Sequence, residues 1–226
     1  MNTDQIWQTI DSQRAQLCDL LTTLDDDQWR QPSLCAGWTV RDVVAHLTLQ
    51  RIGPAGVFGQ MLQWRGGIDR TTAHVARRRA AARTTDQLVA EMRAAIGSRR
   101  HIFVVTRLEM LCDILVHSQD IAVPLSRHLD LPADAAAVAA TRVLSMRWPP
   151  PLHSVKQLAG LRLTATDIDW STGDGPAVQG PMAALLLVCC GRTAALPQLS
   201  GEGVAELTTR LAAGPAASDH QSGRLP

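Results

Sequence analysis

Asp113 and His117 stand four residues apart in the segment CDILVHSQDI, and Asp120 follows three residues later. On a helix these positions fall on one face, which aligns a carboxylate, an imidazole and a second carboxylate in a row. The row runs among Leu111, Ile114, Leu115, Val116 and Ile121, and a carboxylate packed against apolar side chains is costly unless its charge is compensated. An Asp–His hydrogen bond inside a helical bundle is one form of compensation, and a metal ion is another. His46 favours the metal. It lies beside the apolar stripe Val40, Val43, Val44 and Leu47 of a second helix pattern, from which an imidazole can meet the first helix. Two histidines and one carboxylate from facing helices form a tripod that leaves coordination positions for an outside ligand, as catalytic rather than structural sites do. Such mixed ligation suits zinc best and also admits iron, nickel or manganese. Cysteine ligation has no support, because Cys18, Cys35, Cys112, Cys189 and Cys190 contain no CxxC pair. Cys35 reads as structural, since the sequence places no base beside it. His74, His101, His128, His153 and His220 have no partner at ligand spacing.

The elements that must position these groups follow from periodicity and punctuation. Ile6, Trp7, Ile10, Leu17, Leu20, Leu21 and Leu24 recur at helical spacing and predict a helix from Asp4 to Leu24, ended by the acidic run Asp25 to Asp27. After a loop containing Pro32 and Gly37, with Trp38 packing under the bundle end, Thr39 and Asp42 form a capping box that opens the His46 helix. Gly53-Pro54 breaks or kinks it, and an apolar stretch runs from Val57 to Trp64 before the Gly66-Gly67 turn. Thr71 to Arg83 is Ala- and Arg-rich and reads as an exposed helix with a solvated face. Thr84 and Gln87 cap a helix through Ile96, a long helix covers about Thr106 to Arg127, and an Ala-rich helix ends near Met146. Four main helices imply an up-and-down bundle.

Trp148-Pro149-Pro150-Pro151 cannot be helical throughout and marks a domain boundary. Beyond it LRLTATDIDW alternates as a strand does, GDGPAVQG supplies a turn and a short partner strand, and Pro181 opens a buried helix through MAALLLVCC to Gly191. The expected division is thus a helical bundle over 1–147, a small α/β module over 152–213 and a disordered tail over 214–226.

Composition narrows the function classes. With 22 Lys+Arg against 21 Asp+Glu the net charge is +1, so binding to nucleic acid through overall charge is disfavoured. An odd number of irregularly spaced cysteines argues against a disulfide framework. No apolar run is long enough for a membrane span, and the N-terminal MNTDQIWQTIDSQRAQL lacks a basic start followed by an apolar stretch, so a cytoplasmic protein is expected. Lys156 is the only lysine and tyrosine is absent, a bias that fits a GC-rich genome.

Three stretches together carry a likeness: PSLCAGWTVRDVVAHL at Pro32 to Leu47, DILVHSQDIAVPL at Asp113 to Leu125, and LTATDIDWSTGDGPAVQGPMAALLLVCCGR at Leu163 to Arg192. They resemble the mycothiol-dependent maleylpyruvate isomerase family, a branch of the DinB-like metalloenzymes. The resemblance implies a mainly α fold, a DinB-like four-helix bundle holding one divalent metal, usually zinc, with a small C-terminal α/β module. It also implies mycothiol, the low-molecular-weight thiol of actinobacteria, as cosubstrate, and His46, Asp113 and His117 as metal ligands. Isomerase-type members carry Glu where this chain has Asp113, so the carboxylate here is one methylene shorter.

Two more residues join the candidate site. Arg192, closing an apolar helix, is a candidate for holding a substrate carboxylate bidentately, or equally a charge complementing the helix dipole. Asp120 either orients the His117 imidazole or acts as a base. The expected function is a metal- and mycothiol-dependent transferase or isomerase acting on a small electrophile, as monomer or homodimer. A metal-dependent hydrolase and a non-catalytic metal or small-molecule binding protein are the alternatives that share the same tripod.

Overall fold

The structure is a computed structural model and describes residues 1–49, 63–101, 105–146 and 152–213. The expected break at Gly53-Pro54, most of the apolar stretch after it, the proline run and the tail lie outside the described residues. By contacts the chain divides into two compact units, Met1–Ala139 and Ala140–Pro226.

In the first unit helix α1 covers Thr3–Leu21. It ends at Leu21 with Thr22 at its C-cap, three residues before the expected Leu24 and ahead of the acidic run. Asp25 caps a further short helix, α2, Asp26–Arg30, by accepting the Gln28 N–H at 2.8 Å. Asp is well fitted to begin a helix, and the periodic pattern of α1 gives no sign of that use. Helix α3, Val40–Thr48, opens on the Thr39–Asp42 capping box, with Asp42 N–H donating to Thr39 Oγ1 at 3.2 Å and Thr39 N–H to Asp42 Oδ2 at 3.0 Å. Helices α4, Ile68–Ala82, and α5, Thr85–Arg93, follow. The latter is capped by Thr84 and Gln87 as the sequence predicts.

Arg70, Arg77 and Arg78 of α4 are exposed as expected, while the half-buried Arg79 and, just past the helix end, Arg83 tie it to its neighbours. Arg79 donates to Thr48 Oγ1 and to Glu91, each at 2.6 Å, and Arg83 donates to Glu91 at 3.0 Å. Arg77 reaches the Gly37 carbonyl at 2.9 Å.

Helix α6, Arg107–Ala122, is capped by Thr106 and Glu109. It stops five residues short of the expected Arg127, and Pro124 explains the difference. Proline has no N–H to continue the helical ladder and its ring crowds the preceding turn. The last helical bond is Val123 N–H to the Gln119 carbonyl at 3.0 Å, and the Asp120 carbonyl, whose helical donor would come from position 124, accepts the Leu34 N–H at 3.1 Å instead. Ser126 at φ 54° then turns the chain back so that Arg127 N–H meets the Ala122 carbonyl at 2.9 Å.

Helix α1 packs on α5 and α6, and α3 packs on α4, α5 and α6. Ile10 and Leu17 of α1, Val43 and Val44 of α3, and Met110, Leu111 and Leu115 of α6 are wholly buried between them. Helix α7, Ala133–Ser145, runs across the division between the units.

The second unit contains α8, His153–Gln157, three strands, and α9, Met182–Cys189, followed by a 3-10 turn, Thr193–Gln198, and α10, Val204–Ala212. Strand β1, Arg162–Ala165, is central; β2, Ser171–Thr172, runs antiparallel to it and β3, Ala177–Gly180, parallel. Leu163 of β1 stands opposite Thr172 and Val178. The alternating pattern thus forms a small sheet, and the apolar helix α9 opens after Pro181 with Met182 and Ala184 to Cys189 all buried.

Candidate metal centre

The i, i+4, i+7 row is built by α6, which brings Asp113, His117 and Asp120 onto one face, while α3 delivers His46 to the same face. His46 Nε2 lies 3.4 Å from Asp113 Oδ2, and His117 Nε2 lies 3.3 Å from Asp113 Oδ1. The two imidazole rings meet edge to face, 5.0 Å between centroids and 77° between planes. These separations exceed the about 2.7–2.9 Å of a charge-assisted N–H···O bond. Each is close to the spacing of about 3.4 Å between ligand atoms that stand about 2.1 Å from a shared metal, with one oxygen of the Asp113 carboxylate facing each imidazole. The donor set therefore fits a single divalent cation held by His46, Asp113 and His117, and those three groups offer one ligand atom each within 4.8 Å of one another.

A second triangle adjoins the first and is of another kind. His117 Nδ1 lies 2.7 Å from Asp120 Oδ2, and the Cys35 thiol donates to the same oxygen at 3.0 Å, with Sγ 3.6 Å from Nδ1. About 3.4 Å for N···O and 3.6 Å for S···O would be needed around a tetrahedral metal. The shorter distances are those of hydrogen bonds. Asp120, with no exposed side-chain surface, thus accepts from the His117 Nδ1–H and leaves Nε2 as the ring nitrogen that faces Asp113. A carboxylate on the far nitrogen of a ligating histidine fixes the tautomer in this way.

The charges of the first triangle are mutually supporting. Burial alone would raise the Asp113 carboxyl, but the nearby His117 and then His46 outweigh it and hold the group well below the usual carboxylate range. For His117, burial opposes the charged form, but the Asp113 charge prevails, aided by bonds to Asp113, Asp120 and Cys35, so the imidazole holds its proton well above the ordinary range.

Cys35, read from the sequence as structural, and Trp38 adjoin the cluster. Both sit in the loop between α2 and α3, closed by the Pro32–Thr39 bridge and by Ser33 N–H to the Trp38 carbonyl at 2.9 Å. Gly37, at φ +74° in that loop, occupies the left-handed region a larger residue enters only with strain. Trp38 lies against His46, 5.5 Å between ring centroids at 76°, rather than under the bundle end. Among the described residues the buried Nδ1 of His46 has no hydrogen-bond partner, and the Trp38 ring packs against that imidazole, where His117 is held by a carboxylate. The one available sequence signal for Cys35 is Pro124, which frees the Asp120 carbonyl to anchor Leu34 beside it.

Arg192 belongs to the second unit. There its guanidinium donates to the Cys190 carbonyl just past the end of α9, as a residue complementing a helix C-terminus does.

The chain is mainly α with a small three-stranded sheet, and its histidine–carboxylate cluster lies between helices. Residues 10–102 match the family model described as the mycothiol maleylpyruvate isomerase N-terminal domain. The matched segment contains His46 and the Cys35 loop and ends before α6. Two solved structures resemble nearly the whole chain. One is a mycothiol-dependent maleylpyruvate isomerase, 12% identical, covering 89% of this chain and 93% of that one with a TM-score of 0.57. The other is a histidine-to-alanine mutant described under the same enzyme name, with the same identity and coverage and a TM-score of 0.53. At that identity the likeness is one of fold. No curated protein matches the chain. None of the helices among the described residues is long and apolar enough to cross a membrane.

Proposed function

We propose that the chain is a metal-dependent enzyme that uses mycothiol to act on a small electrophile, as a transferase or as an isomerase of the maleylpyruvate type. The observation that supports this reading is the cluster of His46, Asp113 and His117, with each imidazole Nε2 within 3.4 Å of the Asp113 carboxylate, in a chain whose residues 10–102 match a family model named for mycothiol. A divalent cation such as zinc, when bound, supplies the positive charge that stabilises the thiolate form of a thiol brought beside it.

The chain's own residues set the conditions for that. His46 and His117 present neutral nitrogens and Asp113 a single negative charge, so the ligand set leaves a divalent cation with net positive charge and the centre favours an anion. Asp120 keeps the His117 proton on Nδ1. A thiolate beside these residues would add to one carbon of an electrophilic alkene, and protonation of the neighbouring carbon would give an S-conjugate. If the same thiolate leaves again after bond rotation, the outcome is cis–trans isomerisation. Dedicated water activation would call for a base facing the triangle, and Asp120 is instead enclosed and engaged by His117 and Cys35, which favours the thiol over the hydrolase reading.

The test combines elemental analysis of the purified protein with turnover of electrophilic alkenes by intact protein and by His117→Ala, each with and without mycothiol. One metal per chain and thiol-dependent turnover lost in the variant are expected. Equal turnover without any thiol would promote the hydrolase, and metal without turnover under any condition would leave a binding protein.

A further inference from the structure

We propose that Cys35 is a positioning residue for the metal centre: its thiol fixes Asp120, and through Asp120 it holds His117 in the tautomer that turns Nε2 toward Asp113. The inference rests on the metal-centre reading above.

The geometry places Cys35 behind the ligand rather than on the ion. Its sulfur faces the Nδ1 edge of His117, at 3.6 Å, whereas the ligand atom is Nε2 on the other edge of the ring. Its hydrogen-bond partner is Asp120 Oδ2, the same oxygen that accepts the His117 proton. Two donors therefore converge on one oxygen of a carboxylate that solvent does not reach. Removing the thiol takes away a donor that bulk water cannot replace, and a buried carboxylate short of a donor is costly and free to shift.

The loop is built to hold that thiol still. Leu34, the residue before Cys35, donates its N–H to the Asp120 carbonyl at 3.1 Å. Asp120 is thus gripped twice by neighbouring residues, once on its backbone and once on its side chain. Within the loop, Cys35 N–H donates to Ser33 Oγ at 3.1 Å and the Cys35 carbonyl accepts the Trp38 N–H at 3.0 Å, so both peptide groups of Cys35 are fixed. Trp38, three residues on, lies against His46. One loop therefore supports both imidazoles, with a hydrogen-bond chain for His117 and an aromatic face-and-edge contact for His46.

The test compares Cys35→Ala and Cys35→Ser with the intact protein. Zinc affinity is read by competition with a chromophoric chelator, cobalt is substituted for its visible spectrum, and circular dichroism checks folding. Loss of a group behind a ligating histidine typically weakens metal affinity by about 10–100-fold. Cys35→Ala should fall in that range with altered cobalt ligand-field bands, and Cys35→Ser, which still donates, should recover to within about threefold of the intact protein. In an Asp120→Ala background, where the thiol has lost its acceptor, Cys35→Ala should have almost no further effect, because the thiol acts through the carboxylate. If Cys35→Ala does not fold, Cys35→Val keeps bulk in the loop without a strong donor and carries the same comparison.

Unchanged zinc affinity in a folded alanine or valine variant would overturn the proposal, as would a serine variant as weak as alanine. A thiolate-to-cobalt charge-transfer band in the intact protein would also overturn it, by making Cys35 a ligand. Failure of the intact protein to take up one equivalent of metal is a separate result, and it would remove the metal-centre reading itself.

Discussion

Replacing Asp120 with Asn isolates the electrostatic part of the bond behind His117 while leaving its shape. The carboxylate oxygen accepts the Nδ1 proton at 2.7 Å and the Cys35 thiol at 3.0 Å, with no exposed side-chain surface. An amide oxygen in its place still accepts, but a hydrogen bond to a charged acceptor is worth about twice a neutral one, about 1.5–3 against about 1 kcal/mol. The difference of about 0.5–2 kcal/mol corresponds to about 2–30-fold, because each 1.36 kcal/mol is tenfold. Zinc affinity of Asp120→Asn, measured by chelator competition at constant pH, should therefore drop by about that factor while helical content is kept. A folded variant whose affinity lies within twofold of the original would refute the assignment. A loss far beyond a hundredfold would make Asp120 a ligand, contrary to the hydrogen-bond distances.

Three further outcomes are expected. Metal uptake should release protons and weaken as pH falls, because Asp113 and Asp120 hold a proton on His117 above the ordinary imidazole range. The metal-free protein should show the opposite trend, with the raised His117 fully stabilising below about pH 6.5 and its contribution lost as pH rises through the folded-state value; parallel titrations of affinity and of thermal midpoint, with and without chelator, check both signs. Leu115→Ala on the wholly buried face of α6 should destabilise the fold by about 2–5 kcal/mol in urea unfolding, and a loss under about 1 kcal/mol would contradict the packing described. Arg192→Ala should raise KM for a carboxylate-bearing substrate without changing metal content if the residue binds substrate, whereas an effect confined to the melting temperature would leave it a helix-end charge.

Local rules carried most of what could be read from the sequence. The capping boxes at Thr39 and Asp42 and at Thr84 and Gln87 depend on side chains three residues apart, and both form as written. The row of Asp113, His117 and Asp120 is likewise a consequence of helical pitch, and His46 follows from its place beside an apolar stripe. Cys35 could not be found by such rules, since the carboxylate it meets lies 85 positions away and no local pattern links them. The end of α6 was misjudged for a related reason: apolar periodicity continues through Leu125, and only the backbone chemistry of Pro124 stops the helix. Arg79 and Arg83 resemble a solvated surface in sequence because their partners, Thr48 and Glu91, belong to other elements.

The missing N–H of Pro124 also bears on the order in which the centre is assembled during folding. Asp113 and His117 come together as soon as α6 winds, a local event. Bringing Cys35 to Asp120 closes a loop of 85 positions, at an entropic cost of about 4 kcal/mol from chain length alone, which one thiol bond and one backbone bond of about 1 kcal/mol each cannot offset. Closure must be driven by the docking of α1 and α3 on α6. The ligand face of α6 therefore precedes its supports, and a chain whose core is loosened would lose the Cys35 loop and the orientation of His117 while Asp113 and His117 still share a helix. A core variant such as Leu115→Ala should on that account bind metal less tightly well below its unfolding midpoint, with the centre reporting on the core before the helices melt.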